Sequence, residues 1–414
     1  MSFRHGVYKQ EVPTSIIAPA QGEAGLPVII GTAPVHEADS ECVNIPRLVY
    51  TYEEAVEIFG FSEDWDNYTL SEFIYSQFAL FGQAPCVLIN VFDPAKHKDS
   101  SGKPDPSKVT AADIIGGVNT TTNTTTGLEL VNEVFPRFRL VPGIIACPKW
   151  SENPGVAAVM RAKADAVNGL FTCICVLDIP SDNSGVTNYT AAPQWKERNN
   201  YVAEHEVVCW PKVSLDGKVF HMSTQLVGLM NKVDGAHDDI PYKSPSNELL
   251  QMDACVAGGK EILLGLEQAN YLNSQGIVTA LNWIGGWRAW GNRTGCYPAK
   301  TDVKDCFIAV RRMFDYLGNQ FILTFWQQTD QPMTARLVRT IVNTFNMYLN
   351  SLVAREMLLG ARVEFREDEN MYTDLMNGIL KFHIFITPPV PAEVIEGIFE
   401  YDPEYLQVLY NALS

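Results

Sequence analysis

The chain has 414 residues, and at roughly 150 residues per domain that length accommodates about two to three domains. Apolar residues make up 46% and charged residues 19%, enough to bury a large core and too ordered a composition for wholesale disorder. The formal net charge of −17 repels phosphate backbones and anionic lipid, which argues against direct nucleic-acid or membrane binding.

Two further features narrow the class. There is no apolar run of about 18 residues, so no membrane span is expected, and the first residues lead into polar sequence rather than a signal-peptide core. A cytoplasmic start is expected. The nine cysteines are odd in number, form no C-x-x-C, and lie mostly in apolar runs, which reads as buried reduced thiols. Cys173 and Cys175 share one face of a strand pattern but lack two nearby partners for a metal.

In chain order, residues 4–12 read as an isolated extended segment ending at Pro13, followed by a tether of small residues, Gly and Pro to about residue 25. Leu26 to Ile30 reads as a strand, Thr51 to Phe59 and Ser71 to Phe81 as helices, and Cys86 to Phe92 as a strand buried on both faces. Residues 93–126 are polar, with three prolines and a threonine tract, and read as a surface insertion with a small β-element. The α/β rhythm resumes with strands near 143–148, 171–178 and 207–210 and a helix over Gly155 to Val167. Asn247 to Gly258 and Ile262 to Tyr271 read as helical. Further on, Asp305 to Leu317 is amphipathic, Phe321 to Trp326 reads as a strand, and Met333 to about Leu359 as a long helix. Ile379 to Ile386 reads as a strand stopped by Pro388 and Pro389, Glu393 to Tyr401 as a last strand, and the remainder as a short helical tail. The fold class expected is α/β, a layered core domain with a mixed sheet plus an α+β C-terminal domain.

The motifs of catalysis are missing. There is no G-x-S-x-G, no P-loop and no G-x-G-x-x-G after a strand. Gly258-Gly259-Lys260 lacks the spacing of a phosphate loop and reads as a helix boundary. His205-Glu206 has no second histidine four residues on. His237-Asp238-Asp239 reads as a solvated acidic loop. Trp283, Trp287 and Trp290, interleaved with Arg288 and Arg293, read as a packed core edge with arginine–aromatic stacking. No catalytic residue, cofactor or metal ligand is assigned.

At this tryptophan cluster a family resemblance begins. Gly276 to Trp283 and Trp287 to Thr294 resemble the "G-I-N … W-G-x-R-T" segment of contractile phage tail sheath proteins. Val303 to Tyr316, with Arg311 and Arg312, is similar to their "I-x-V-R-R-L-F-x-Y-I" segment. Pro332 to Val342, with Arg336, Arg339 and Thr340, is similar to the "P-L-W-x-R-V-R-x-T-V" helix. Gly378 to Pro389 and then Pro391-Ala392-Glu393 resemble the sheath ending, Gly6 to Pro13 the opening "P-G-V-Y-x-x-E-x-P", and Ser244 to Asn247 the "P-A-N" element. Six motifs occur in family order, while residues 90–240 match loosely. The chain is short for the family, like the short-insert sheaths of myophage tails and phage-tail-like bacteriocins.

The resemblance implies a structural subunit, not an enzyme. Such subunits stack as a homo-oligomer of hexameric rings around a tail tube protein, between baseplate and tail terminator proteins, in a virion tail assembled in the bacterial host cytoplasm. They contract to drive the tube through the target envelope, with no cofactor. The implied layout is an arm at 1–25, a core at 26–92 and 127–300 interrupted by an insertion at 93–126, a C-terminal domain at 301–401 that accepts strands from neighbours, and a tail at 402–414. The donated strand would be Gly6, Val7, Tyr8, Lys9, Gln10, Glu11 and Val12, with Gly22 and Gly25 as joints of the tether. Pairing of this segment within its own chain is the alternative. The acceptor and C-terminal strands would carry Leu380, Phe382, Ile384, Ile386, Val394, Ile395 and Ile398. Arg336, Arg339 and Arg355 on the long helix are candidate tube contacts, or else bridge to Glu356, Glu364 or other neighbours within the fold. Two competing expectations are a subunit of another contractile injection machine and an α/β hydrolase whose catalytic residues converge from distant positions.

Overall fold

A computed structural model describes residues 25–38 and 41–412. The expected donor strand, Gly6 to Val12, and the tether as far as residue 24 lie outside the described residues. In chain order the first eight strands are β1 Pro27–Gly31, β2 Arg47–Val49, β3 Cys86–Asn90, β4 Gly117–Asn119, β5 Thr124–Thr126, β6 Ile144–Ala146, β7 Ile174–Asp178 and β8 Glu206–Cys209. The next eight are β9 Lys212–Leu215, β10 Lys218–Phe220, β11 Ala254–Ala257, β12 Lys260–Ile262, β13 Ile277–Trp283, β14 Gly286–Trp290, β15 Gly360–Glu364 and β16 His383–Thr387.

Strands β1, β3 and β7 are buried at every residue, which is why they appear in the sequence as unbroken apolar runs rather than alternating ones. They form the centre of an eight-stranded sheet in the order β14-β13-β8-β7-β6-β1-β3-β2. The inner strands run parallel, and β2 and β14 close the two edges antiparallel. Helices layer onto it, as parallel connections require. Thr51 caps the helix Tyr52–Phe59 through the Glu54 amide, and Gly60 ends it with a positive φ. The insertion carries the β4–β5 hairpin. Gly116 fits there because a Cβ would lie 1.9 Å from the Thr126 carbonyl oxygen.

Several expectations change. Phe321 to Trp326 is not a strand: it completes the helix Ile308–Phe325, whose buried Met313, Leu317 and Phe325 keep a helical period. Residues 247–258 are not helical: Asn247 has φ 66°, turns follow, and β11 forms instead. Gly258 and Gly259 are no helix boundary. Both have positive φ and make the two-residue turn joining Ala257 to Lys260. The helix expected from Ile262 starts at Leu266, since Ile262 ends β12. The helix Met222–Gly235 went unforeseen because it is buried nearly all round and has no apolar stripe.

A separate hydrophobic cluster lies at the C-terminal end, built from Met313 and Leu317 of one helix, Ile341, Phe345, Leu349 and Leu352 of the helix Ala335–Ala354, and Val363 of β15. Polar networks tie the helix Ile308–Phe325 to the large sheet. Arg312 forms a buried ion pair with Asp234, both nearly inaccessible. His205 lies between Asp165 at 2.7 Å and Asp315 at 3.1 Å, and Arg311 also reaches Asp315. Burial alone would lower the His205 value, but the hydrogen bonds it donates to the two aspartates and the Asp315 charge outweigh it and raise it to about 9. His221, fully buried against Glu72 at 2.8 Å, also rises to about 9, with the Glu72 charge and hydrogen bond overcoming burial. Burial lifts Glu152 to about 6 and Glu206 to about 7.

All four shifts are upward, so the folded chain holds these protons more tightly than the unfolded one. The glutamates contribute stability that is complete below about 4.5 and lost toward 6 and 7. The histidines contribute stability that is complete below about 6.5 and lost as pH rises through about 9. In urea melts, His205→Gln should be less stable than the parent near neutrality and should flatten the decline above about pH 6.5.

Candidate functional site

Among the described residues no three or more metal-ligating side chains converge, and no helix is long and apolar enough to cross a membrane. The described cysteines are all buried and form no disulfide with one another, Cys173 and Cys175 included. What stands out is unpaired backbone and exposed apolar surface at the C-terminal end.

Strands β15 and β16 form a two-stranded antiparallel ribbon, from Gly360 opposite Thr387 to Glu364 opposite His383. One face, carrying Val363, Ile384 and Ile386, packs on the helix Ala335–Ala354. On the other, the Arg362 guanidinium lies 3.7 Å from the centre of the Phe385 ring, and His383 bonds to Glu369 at 2.6 Å. The ribbon's two edges differ. The Val363 N–H donates to Asn346 Oδ1 at 2.9 Å, and Asn346 Nδ2 donates to the Val363 carbonyl at 3.2 Å. Antiparallel pairs alternate between those that exchange hydrogen bonds and those that do not. Val363 therefore turns its peptide groups away from β16, and its partner Ile384 turns its own away from β15, as does Ile386 opposite Ala361.

Beyond Thr387 come Pro388, Pro389 and Pro391, and residues 388–402 have no regular structure. The strand expected over Glu393 to Tyr401 is absent, because no neighbouring strand among the described residues accepts it. Val394, Ile395, Ile398 and Phe399 are 82–98% exposed. Of the remaining expected acceptor residues, Ile384 and Ile386 lie in β16, while Leu380 and Phe382 precede it.

A side-chain fork fastens this arm. Arg293 Nε donates to Glu393 Oε1 at 2.8 Å, and its Nη2 reaches the other carboxylate oxygen, a bidentate fork. The guanidinium lies over Phe307 at 3.8 Å and Tyr297 at 4.5 Å. The arginine–aromatic stacking expected at the tryptophans is thus found here instead. Trp283, Trp287 and Trp290 do lie at an edge of the large sheet, in the β13–β14 hairpin, but Arg288 donates to the Asn247 and Ile284 carbonyls.

The three arginines of the long helix behave differently. Arg355, just past its end, pairs with Asp238 at 2.8 Å rather than with Glu356 or Glu364, so the His237–Asp239 loop is tied down. Arg336 and Arg339 are exposed and make no ion pair among the described residues. Sequence reasoning missed Asn346 and the Glu393 fork. The placement of Asn346 on the same helical face as Val342 and Leu349 was the available signal for the first, and nothing in the spacing pointed to the second.

No family model matches the chain. Over 316 residues, 74% of the chain, it is 28% identical to the tail sheath protein of Burkholderia phage BcepMu, and that match spans 64% of the BcepMu protein. Across its whole length it is 21% identical to the tail sheath protein of Escherichia phage P2, covering 99% of it. Among solved structures it superposes on the contracted sheath of the PVC extracellular contractile injection system with a TM-score of 0.68, at 16% identity and covering 98% of this chain and 99% of that one. The contracted helical sheath of the anti-feeding prophage gives 0.66, at 16% identity and 97% and 100% coverage.

The Arg293–Glu393 fork makes a direct prediction. With spin labels at Val394→Cys and Leu263→Cys, both exposed positions, the parent chain should give a narrow distance distribution. Glu393→Gln should broaden it, because a neutral amide loses the charge-assisted fork.

Proposed function

We propose that this chain, a relative of phage tail sheath proteins with the sheath fold, is the structural subunit of a contractile sheath. The observation that carries the reading is the β15–β16 ribbon, open along β16, beside an arm whose Val394, Ile395, Ile398 and Phe399 are exposed. An open strand edge is a template for another chain. In this reading copies of the chain stack as hexameric rings around a tail tube, between baseplate and terminator proteins, and the particle is built in a host cytoplasm. Residues 1–25 are the donor arm, 26–92 and 127–300 the core, 93–126 an insertion, 301–401 the assembly domain and 402–414 its tail.

The mechanism needs mechanical links, not a bound nucleotide. Strands held in a neighbour's sheet by backbone hydrogen bonds keep subunits joined while their bodies rotate and slide. Contraction then brings bodies together, buries more surface, and that free energy moves the tube. Fold similarity over nearly the whole chain to the PVC and anti-feeding prophage sheaths favours a second reading within the same class, a sheath of a non-infectious injection particle.

Arg336 and Arg339 are the proposed tube contacts, as exposed cations on an acidic protein, and Arg355 is assigned a structural role instead because Asp238 holds it. Deleting residues 1–12 should leave a folded, soluble chain that no longer forms striated tubes in negative-stain microscopy. Normal tubes from that deletion would overturn strand exchange. Arg336→Glu with Arg339→Glu should weaken assembly on a tube while changing folding stability by less than about 1 kcal/mol, since both side chains are exposed and neither makes an ion pair among the described residues. A large melting shift would return both arginines to a structural role.

A further inference from the structure

We propose that Asn346 is an edge stopper that restricts strand acceptance to one side of the ribbon: the Gly6–Val12 segment of a second copy adds along β16 and is refused by β15. The proposal rests on the sheath reading for its partner and on this chain's hydrogen bonds for its direction.

Along the outer edge of β15, the peptide groups available to an incoming strand are those of Ala361 and Val363. At Val363 both are already taken. The Asn346 carboxamide presents one acceptor and one donor in the spacing of a peptide group, at 2.9 and 3.2 Å, so it mimics the strand that would otherwise dock. It is held there by the helix Ala335–Ala354, which packs beneath the ribbon through Phe345 and Leu349. A strand arriving at β15 would have to break both bonds and displace a well-packed helix.

The outer edge of β16 has no such guard. The peptide groups of Ile384 and Ile386 face outward with no hydrogen-bond partner among the described residues. Both side chains pack toward the helix, so the strand is anchored from below while its edge stays open. The edge ends abruptly at Pro388, which cannot extend a ladder. β16 has five residues, and the seven of Gly6–Val12 cover it fully. Added as a strand, the segment would set Tyr8, Gln10 and Val12 on one face and Val7, Lys9 and Glu11 on the other. The exposed face of the ribbon carries Arg362 and Glu364, with Arg366 and Glu369 just beyond the end of β15, charges of both signs to meet Lys9 and Glu11. Because two strands can otherwise pair on either side, a single plugged edge fixes both the partner's position and its register side.

Cysteine cross-linking separates the edges. Neighbouring strands bring paired Cβ atoms to about 4.5–5.5 Å, while a strand across the ribbon lies about twice as far. Each of residues 6–12 is replaced in turn by cysteine in the full chain, together with Thr387→Cys on β16 or Arg362→Cys on β15, and a mild oxidant is added. Both acceptor positions are exposed, and the unsubstituted chain controls for the buried native thiols. The expected result is a ladder of covalent multimers through Thr387→Cys and none through Arg362→Cys. Asn346→Ala should then permit cross-links through Arg362→Cys, and Asn346→Gln, which keeps both polar atoms on a longer stem, should permit fewer. Circular dichroism checks that each variant is folded. Cross-links through Arg362→Cys in the parent, a cross-link closing within one chain, or none at all would each overturn the proposal. Microscopy of the unsubstituted chain tests the sheath reading separately, so tubes without the Thr387→Cys ladder would remove the edge assignment and leave the sheath.

Discussion

A strand at the rim of a sheet keeps half of its peptide groups unsatisfied, and the two-stranded ribbon of this chain has two such rims and almost no sheet. On the β15 side a side-chain amide from the supporting helix satisfies them at Val363. On the β16 side nothing within the described residues does. The rest of the C-terminal region makes sense as support for that asymmetry. The cluster of Phe345, Leu349, Leu352 and Val363 fixes the ribbon to its helix, so the open edge is presented rigidly. Polar contacts through Arg312, Asp315 and His205 then fix that helical layer to the large sheet. A force applied at the open edge is therefore transmitted to the whole body.

Backbone hydrogen bonds suit such a link. Each contributes only about 0.5–1.5 kcal/mol net, since water satisfies the same groups when the strand is absent. A ladder of a few bonds with side chains seated beside it is strong enough to hold a neighbour and still independent of the neighbour's body orientation. The arm behaves as a separate device. Its three prolines prevent it from continuing the ribbon, the Arg293–Glu393 fork sets its direction of departure, and the apolar residues beyond the fork remain exposed in the single chain. Apolar surface of this extent is uncommon on a protein that works alone.

The parts of the fold that could be read from sequence are those in which local chemistry and tertiary context agree. Strands β1, β3 and β7 announce themselves because burial on both faces demands unbroken apolar runs. The helix after Thr51 carries its own cap and stop. Errors arose where context overrode local preference. The helix Met222–Gly235 buries Ser223, Thr224, Gln225 and Asn231 as well as its leucines, so it lacks the contrast that marks an amphipathic helix. Phe321 to Trp326 has strand-like aromatic composition but finishes a helix begun thirteen residues earlier. Glu393 to Tyr401 has the composition of a strand and no neighbour to pair with, which is the case in which β-propensity has least force. At the site, β16 and its proline stop were legible. The amide bracket of Asn346 was not, because it joins residues 17 positions apart through a helix-to-strand packing angle that no periodicity encodes.

Charge adds a second constraint on how copies of this chain can meet. Each has a formal charge of −17, and at about 0.1 M salt that repulsion is screened beyond about 10 Å but not at contact. Net charge therefore opposes association, and peptide groups at a strand edge attract without regard to it. Arg336 and Arg339 fall outside this logic. They stand in the first turns of the helix Ala335–Ala354, which has no acidic residue in its first turn, so both cations sit at the positive end of the helix dipole. Their placement is unfavourable in the isolated chain and becomes favourable beside an anionic surface. Under the proposed function, neutral backbone pairing would join like-charged copies and these cations would face a different, acidic partner, so the two kinds of contact would not compete for the same surface.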